Sequence, residues 1–253
     1  MLFYFTATGN SLYVAKQIEK DIRSIPQELK QSSLHYHSQS IGIVSPIYAG
    51  ELPHVVRRFL EQATFQTDYF YLILTYGKNE SIASTWASDF CEKHGQHVDY
   101  IQTILMVDNY LPSFDMVEEM ELEKHENEQI KSAIENIRNH VHKIPQPSKE
   151  AIALYETVSH RFAKHPELND GESIVMSSQC AGCHICEQVC PVGNIKVIDG
   201  KAKRFSQTCD FCLACVHNCP CKVIHLRKEK NRNARYRNPH ITLKEIVKSN
   251  SQK

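Results

Sequence analysis

The sequence predicts an α/β chain: a doubly wound parallel sheet over residues 1–142, followed by a small α+β unit organised by cysteines over residues 171–228. Three observations predict it. Short apolar runs alternate with amphipathic stretches through the first 110 residues, nine of the ten cysteines fall between Cys180 and Cys221, and a proline-bearing interruption at residues 144–148 separates the two regions. A length of 253 residues suits two units of unequal size.

The elements follow in order. Residues 2–6 read as the first strand, and Leu12, Val14, Ala15 and Ile18 mark the helix after it. The pattern recurs as 40–46 then 55–63, 69–76 then 81–93, and 98–107 then 130–141. Buried strands separated by helices imply a parallel sheet. The second strand is expected between residues 24 and 38, where 34–37 is the available stretch. The acidic run Asp115, Glu118, Glu119, Glu121, Glu123, Glu126 and Glu128 reads as a solvated helix face. In the linker, residues 143–170, Ile152, Tyr155, Val158 and Phe162 describe an amphipathic helix expected to strap the two units together. Residues 229–253 read as a basic tail in which Thr242-x-x-Glu245 opens a short final helix.

Composition excludes several classes. Acidic and basic residues number 29 each, which argues against a whole-protein nucleic-acid binder. The basic run Arg227, Lys228, Lys230, Arg232, Arg235 and Arg237 lacks a recognition fold and better suits an acidic redox partner or nearby anionic clusters. No apolar run reaches the roughly 20 residues needed to span a bilayer, and residues 1–5 are too short for a signal-peptide core. The expectation is a cytoplasmic protein whose cysteines bind metal instead of forming disulfides.

The cysteines form a duplicated motif. Cys180-x2-Cys183-x2-Cys186-x3-Cys190-Pro191 recurs 29 residues later as Cys209-x2-Cys212-x2-Cys215-x3-Cys219-Pro220. A cubane cluster needs four thiolates from different directions; one tight loop supplies three. Zinc also accepts four thiolates but predicts pairs, whereas triplets with a proline-flanked fourth cysteine occur here twice. Radical S-adenosylmethionine chemistry needs an iron left open, which four cysteine ligands do not provide. The segment resembles bacterial-type two-cluster ferredoxins over about residues 172–228, with strands expected at 173–176, 195–197 and 223–225. In such ferredoxins the cysteine before proline ligates the other cluster. The resemblance therefore implies two 4Fe-4S clusters, one on Cys180, Cys183, Cys186 and Cys219, the other on Cys209, Cys212, Cys215 and Cys190. Cys91 reads as a small core hydrophobe, and Cys221 as a spectator or replacement ligand. His184 and His217 are expected to shape the cluster surroundings.

The first strand runs into Thr6-Ala7-Thr8-Gly9-Asn10-Ser11, a hydroxyl-rich turn that opens a helix and suits a phosphate group. A plain N-cap is the alternative. Neither a P-loop nor a G-x-G-x-x-G fingerprint is present. In a chain with nine glycines, Gly9, Gly50 and Gly77 each fall just beyond a strand's carboxyl end, where open α/β sheets bind ligands. The second loop, Pro46-Ile47-Tyr48-Ala49-Gly50, offers Tyr48 for stacking. The third, Thr75-Tyr76-Gly77-Lys78, offers backbone groups and Tyr76. Trp86 reads as core, and Asp108-Asn109-Tyr110 as a ring contact or a strand-ending turn.

Residues 1–142 resemble a flavodoxin, whose phosphate loop follows T-x-T-G-N-T/S, matched by Thr6, Thr8, Gly9, Asn10 and Ser11. With the ferredoxin segment, and with residues 106–112 after the fifth strand, the whole chain resembles the flavodoxin-fused ferredoxins of bacteria and archaea. That likeness implies a flavodoxin-like domain with FMN on the three loops, and electron transfer between flavin and clusters. The leading expectation is an electron carrier serving redox partner proteins. The alternative is an FMN-dependent oxidoreductase that reduces a small acceptor such as a quinone; a redox sensor is a third.

Overall fold

The computed structural model describes residues 1–166, 171–205 and 209–253. β1 (Leu2–Tyr4) is wholly buried and leads into α1 (Asn10–Ile18). β2 (Ile22–Ser24), α2 (Ile25–Glu28), β3 (His35–His37), β4 (Ser40–Pro46), α3 (His54–Gln62), β5 (Thr64–Gln66), β6 (Tyr69–Tyr76), α4 (Ala83–Lys93) and β7 (Tyr100–Leu105) follow. Five strands form a parallel sheet ordered β2-β1-β4-β6-β7, which counted within that sheet is 2-1-3-4-5. The order reverses between β1 and β4, so the loops leaving their carboxyl ends part around a crevice.

Alternation along β1 divides the core. Phe3 and Phe5 join Phe59 and Phe70 on one face, and Leu2 and Tyr4 join Val14 and Ile73 on the other. Both faces are covered, as a parallel sheet requires. The second strand departs from expectation: β2 is Ile22–Ser24, while β3 pairs with β5 in a separate parallel ladder. Tyr36 is held there by Phe3, Phe59 and Phe65, at centroid distances of 4.5, 5.9 and 5.8 Å. Three residues of half-buried edge strand carry too little apolar pattern to be seen in sequence.

α5 (Met116–Glu121), α6 (Glu126–Arg138) and α7 (Lys149–Lys164) come next. The acidic run is not one solvated face. Asp115 caps α5 by accepting from the Val117 N–H at 2.9 Å, and Glu119 is buried in an ion pair with Lys124 at 3.0 Å. α7 is a looser strap than its pattern predicts: none of its residues is buried, and its Tyr155 hydroxyl donates to Glu51 at 2.7 Å. Trp86 is half-buried, stacked on Phe90 with Arg57 above it, whereas Cys91 is core.

The small unit contains β8 (Ile174–Met176), α8 (Ile185–Gln188), β9 (Ile195–Ile198), β10 (Lys201–Arg204), α9 (Ala214–His217) and β11 (Ile224–Leu226). β8 pairs antiparallel with β11, and β9 with β10. β10, with sequence KAKR, has no apolar signature of its own. α10 (Leu243–Asn250) carries the expected capping box. The last segment is nevertheless no free tail: Ile246 is buried in the core beside β1, and Ser249 bonds the Tyr4 hydroxyl at 2.8 Å. Among the described residues no helix is long and apolar enough to cross a membrane.

Candidate functional site

The two cysteine loops have one backbone form. Gly182 and Phe211, His184 and Leu213, and Gly193 and Lys222 occupy equivalent positions, and all six are left-handed, with φ between 46° and 68°. Such alternation of hand turns successive N–H groups into a concavity that favours anionic groups. Gly182 N–H points to Cys180 Sγ at 3.4 Å, and Asn194 N–H to Cys190 Sγ at 3.2 Å.

Two cavities result. One is lined by Cys190, Cys209, Cys212 and Cys215, the other by Cys180, Cys183, Cys186 and Cys219, with Cys221 at its margin. Each combines three cysteines of one motif with the cysteine before proline of the other. Burial pushes the Cys186 thiol up to about 12 and Cys209 to about 11, and drives Cys212 and Cys215 well above the ordinary range; neighbouring cysteines of the same cavity add to each. Four crowded thiolates in an apolar cavity require a cationic centre. The donor set therefore fits an iron–sulfur group.

The cavities differ in surroundings. The outer one has exposed Cys183 and half-buried Cys180 at its edge. The inner one abuts the sheet unit, where Cys212 packs against both hydrophobic cores. Asp210 accepts from the Val55 N–H at 2.9 Å at the start of α3, and Phe211 meets Tyr110 edge-on at 6.3 Å. His217 accepts from the Tyr236 N–H at 3.1 Å through Nδ1, so Nε2 carries the proton it donates to the Asn109 carbonyl at 2.9 Å. Burial holds that imidazole neutral, lowered to about 4. His184 instead pairs with Glu187 at 2.8 Å on the outer side.

The three sheet-edge loops meet. Ser11 and Thr75 share a hydroxyl–hydroxyl bond of 2.9 Å, and the Ile47 N–H donates to the Thr75 carbonyl at 2.9 Å. Gly77 lies so close to the following loop that a Cβ there would stand 2.2 Å from Asp108 Cβ, whereas Lys78 is exposed. Tyr48 packs against the sheet core that also takes Cys212, and burial, then Cys212, Asp210 and Cys209, push its hydroxyl well above the ordinary range. Gly50, φ 88°, packs on Ser81 and Tyr155. Asn109 donates to the Thr8 hydroxyl at 2.7 Å, which makes it a loop brace.

Loop 6–11 is sealed. Thr6, Ala7, Thr8, Asn10 and Ser11 are each at most 8% exposed, and Gly9 is buried with them. Asn218 donates to the Ala7 carbonyl at 3.4 Å, Asn250 to that of Thr6 at 2.8 Å, and the Asn238 N–H to that of Thr8 at 2.8 Å. A Cβ on Gly9 would meet Asn238 Cβ at 2.9 Å and Ile241 Cβ at 3.0 Å. The hydroxyls of Thr6 and Thr8 accept bonds and keep their own O–H to donate, which is a phosphate-type donor set. The closed loop nevertheless has no room for a phosphate, so FMN does not fit it as it stands. Asn218, Asn238 and Asn250 carry no local signal for this closure; Asn238-Pro239 announces only a turn.

Comparison with known proteins falls on the same cysteine-bearing stretch of the chain. Residues 173–220 match the family described as 4Fe-4S dicluster domain. Over 48 residues the chain is 46% identical to one component of the ion-translocating oxidoreductase complex of Methanosarcina acetivorans, covering 19% of this chain and 18% of that protein. The chain thus spans under a fifth of the length of that curated relative. The C-terminal part is a 4Fe-4S ferredoxin domain, and the likeness points to electron transfer.

Proposed function

We propose that the chain is an electron carrier with two 4Fe-4S centres, one on Cys180, Cys183, Cys186 and Cys219, the other on Cys209, Cys212, Cys215 and Cys190, exchanging electrons with partner proteins of a larger redox system. The observation that carries this reading is the crossed composition of the cavities, three cysteines of one motif with the fourth of the other. Likeness to a component of an ion-translocating oxidoreductase complex supports the redox partners. When bound, each centre supplies one-electron exchange. The chain lines one cavity with Ile195 and Leu213 and the other with Ile224, and aims backbone N–H groups at the sulfurs. Protein purified without oxygen should contain about eight irons and eight sulfides per chain, two centres of four. Stoichiometric zinc in their place overturns the reading.

A finer reading adds FMN on residues 6–11, 46–50 and 75–78. The sheet order 2-1-3-4-5 supports it, being that of flavodoxin-like sheets, which seat FMN at the switch point. So do the hydroxyls of loop 6–11. Because that loop is closed, no electron step is assigned to flavin. Flavin released on denaturing the same preparation, one FMN per chain, is the test.

A further inference from the structure

The inner cysteine site holds a cation whose pairing is only half complete. Arg204 ends β10 and lines the cavity of Cys190, Cys209, Cys212 and Cys215. Its Nη2 pairs with Glu172, whose side chain is 46% exposed. Its Nη1 is buried and has no hydrogen-bond partner among the described residues. A Cβ added at Gly171, φ 87°, would stand 2.7 Å from Cys209 Sγ and 2.8 Å from Arg204 Nη1, so thiol and guanidinium sit side by side against one stretch of backbone. A side chain there would push both groups aside. Burial raises the Cys209 thiol, while the Phe211 N–H and Arg204 draw it back.

The outer site has no such group at the matching position. Aligned on the first cysteine of each motif, Arg204 stands opposite Val175. Lys201, on the outer side, is exposed and donates its ammonium to the Cys180 carbonyl at 2.9 Å. The opposing charge at the inner site is Asp210, which lines the same cavity, accepts from the Val55 N–H at 2.9 Å and stands 3.6 Å from His54.

An iron–sulfur centre on four thiolates is anionic, and each electron it accepts adds negative charge. Burial disfavours that added charge, because a low dielectric penalises it. A guanidinium stays charged at every ordinary pH and presents its donors in a rigid fork. Placed beside the sulfur of a buried centre, it stabilises the reduced form more than the oxidised one.

We propose that Arg204 is a built-in counter-charge for the inner centre: its Nη1 faces the sulfur of that centre and raises the centre's reduction potential, offsetting burial so that the outer and inner centres exchange electrons. This rests on the two-centre reading. In the exchange one electron leaves the reduced outer centre and enters the oxidised inner one, with no bond or proton changed.

The test is a redox titration of the anaerobic, cluster-loaded protein, followed by low-temperature electron paramagnetic resonance, on the unmodified chain and on Arg204→Leu, Arg204→Lys and Glu172→Gln. Two one-electron steps are expected. In Arg204→Leu one step should fall by about tenfold in its equilibrium constant, about 59 mV for one electron, and the other should stay in place. Arg204→Lys keeps the charge and should retain most of the original potential. Glu172→Gln leaves the guanidinium unopposed by that carboxylate and should raise the same step, by less because Glu172 is exposed. The signs separate electrostatics from scaffolding: both substitutions break one ion pair, so a merely structural role moves the step the same way in both. Shifts of the same sign, an unmoved step in Arg204→Leu at full iron content, or an Arg204→Lys shift as large as that of Arg204→Leu overturns the proposal. If Arg204→Leu does not assemble its centres, Glu172→Gln decides alone, and an unchanged or lowered step overturns the proposal. Iron and sulfide for a single centre in the unmodified chain overturn the two-centre reading and the proposal with it.

Discussion

The two copies of the cysteine motif share a backbone and differ in what they touch. Aligned from the first cysteine, Ala181 stands opposite Asp210, Gly182 opposite Phe211, Gln188 opposite His217, and Val189 opposite Asn218. Every second-copy residue in this set reaches the sheet unit: Asp210 at α3, Phe211 at Tyr110, His217 at Asn109 and Asn218 at Ala7. The shared positions make cavities for sulfur ligands, and the divergent ones mount the inner cavity on the sheet edge. In the first copy Ala181 is exposed and Gly182 and Gln188 are half-buried, only Val189 of this set packs into the sheet's core, and Cys183 opens toward solvent.

The largest effect should come from crossing the ligand sets. Pairing Cys190→Ser with Cys212→Ser damages one cavity twice and should leave about four irons per chain, while pairing Cys190→Ser with Cys183→Ser damages both and should leave almost none. Sets confined to one motif each would give the reverse pattern. Iron analysis and low-temperature electron paramagnetic resonance of the reduced proteins read the difference.

The mount itself is the next thing to break. Phe211 is large, nearly buried and opposite a glycine in the other copy, so Phe211→Ala should cost about 3 kcal/mol of stability in denaturant unfolding. Air exposure of this variant should then bleach inner-centre absorbance first. Asp210→Ala removes the bond to Val55 N–H and should cost about 1 kcal/mol, as lost helix caps do. If both substitutions change outer and inner centres alike, the copies are not distinguished by their mounting.

The same contrast bears on what a sequence can reveal. Apolar runs made the central strands legible, with β4 and β6 falling at residues 40–46 and 69–76 as their pattern predicts. Cysteine spacing made the cavities legible because three-residue repeats fix a loop's turns locally. The edge strand β2 was hidden because three half-buried residues have no periodicity, and a better apolar candidate, held by aromatic packing around Tyr36, lay nearby. The closure of loop 6–11 was hidden for another reason: Asn10 meets Tyr236 and Asn238 across more than 220 residues of sequence, and no local pattern encodes such a contact. Divergence between the two motif copies is the one sequence signal that marks the docking face.

The smallest expected effect, that of Lys222→Gly, tests together with Gly193→Ala whether the shared backbone is strained equally in both copies. Gly193 and Lys222 occupy equivalent positions with φ 64° and 52°, one a glycine and one not. A Cβ at Gly193 has room, its nearest neighbour being Gln252 Cβ at 3.4 Å, so Gly193→Ala isolates the conformational cost of a left-handed residue, about 1–2 kcal/mol. Lys222→Gly relieves the same strain but gives the unfolded chain extra freedom worth about 0.4–1 kcal/mol, so its net change should stay under about 1 kcal/mol. Unfolding midpoints of the two variants at equal cluster content check this. A neutral Gly193→Ala would mean that the first copy can relax where the second, clamped on the sheet, cannot, and the difference between the copies would then extend from their contacts to the backbone itself.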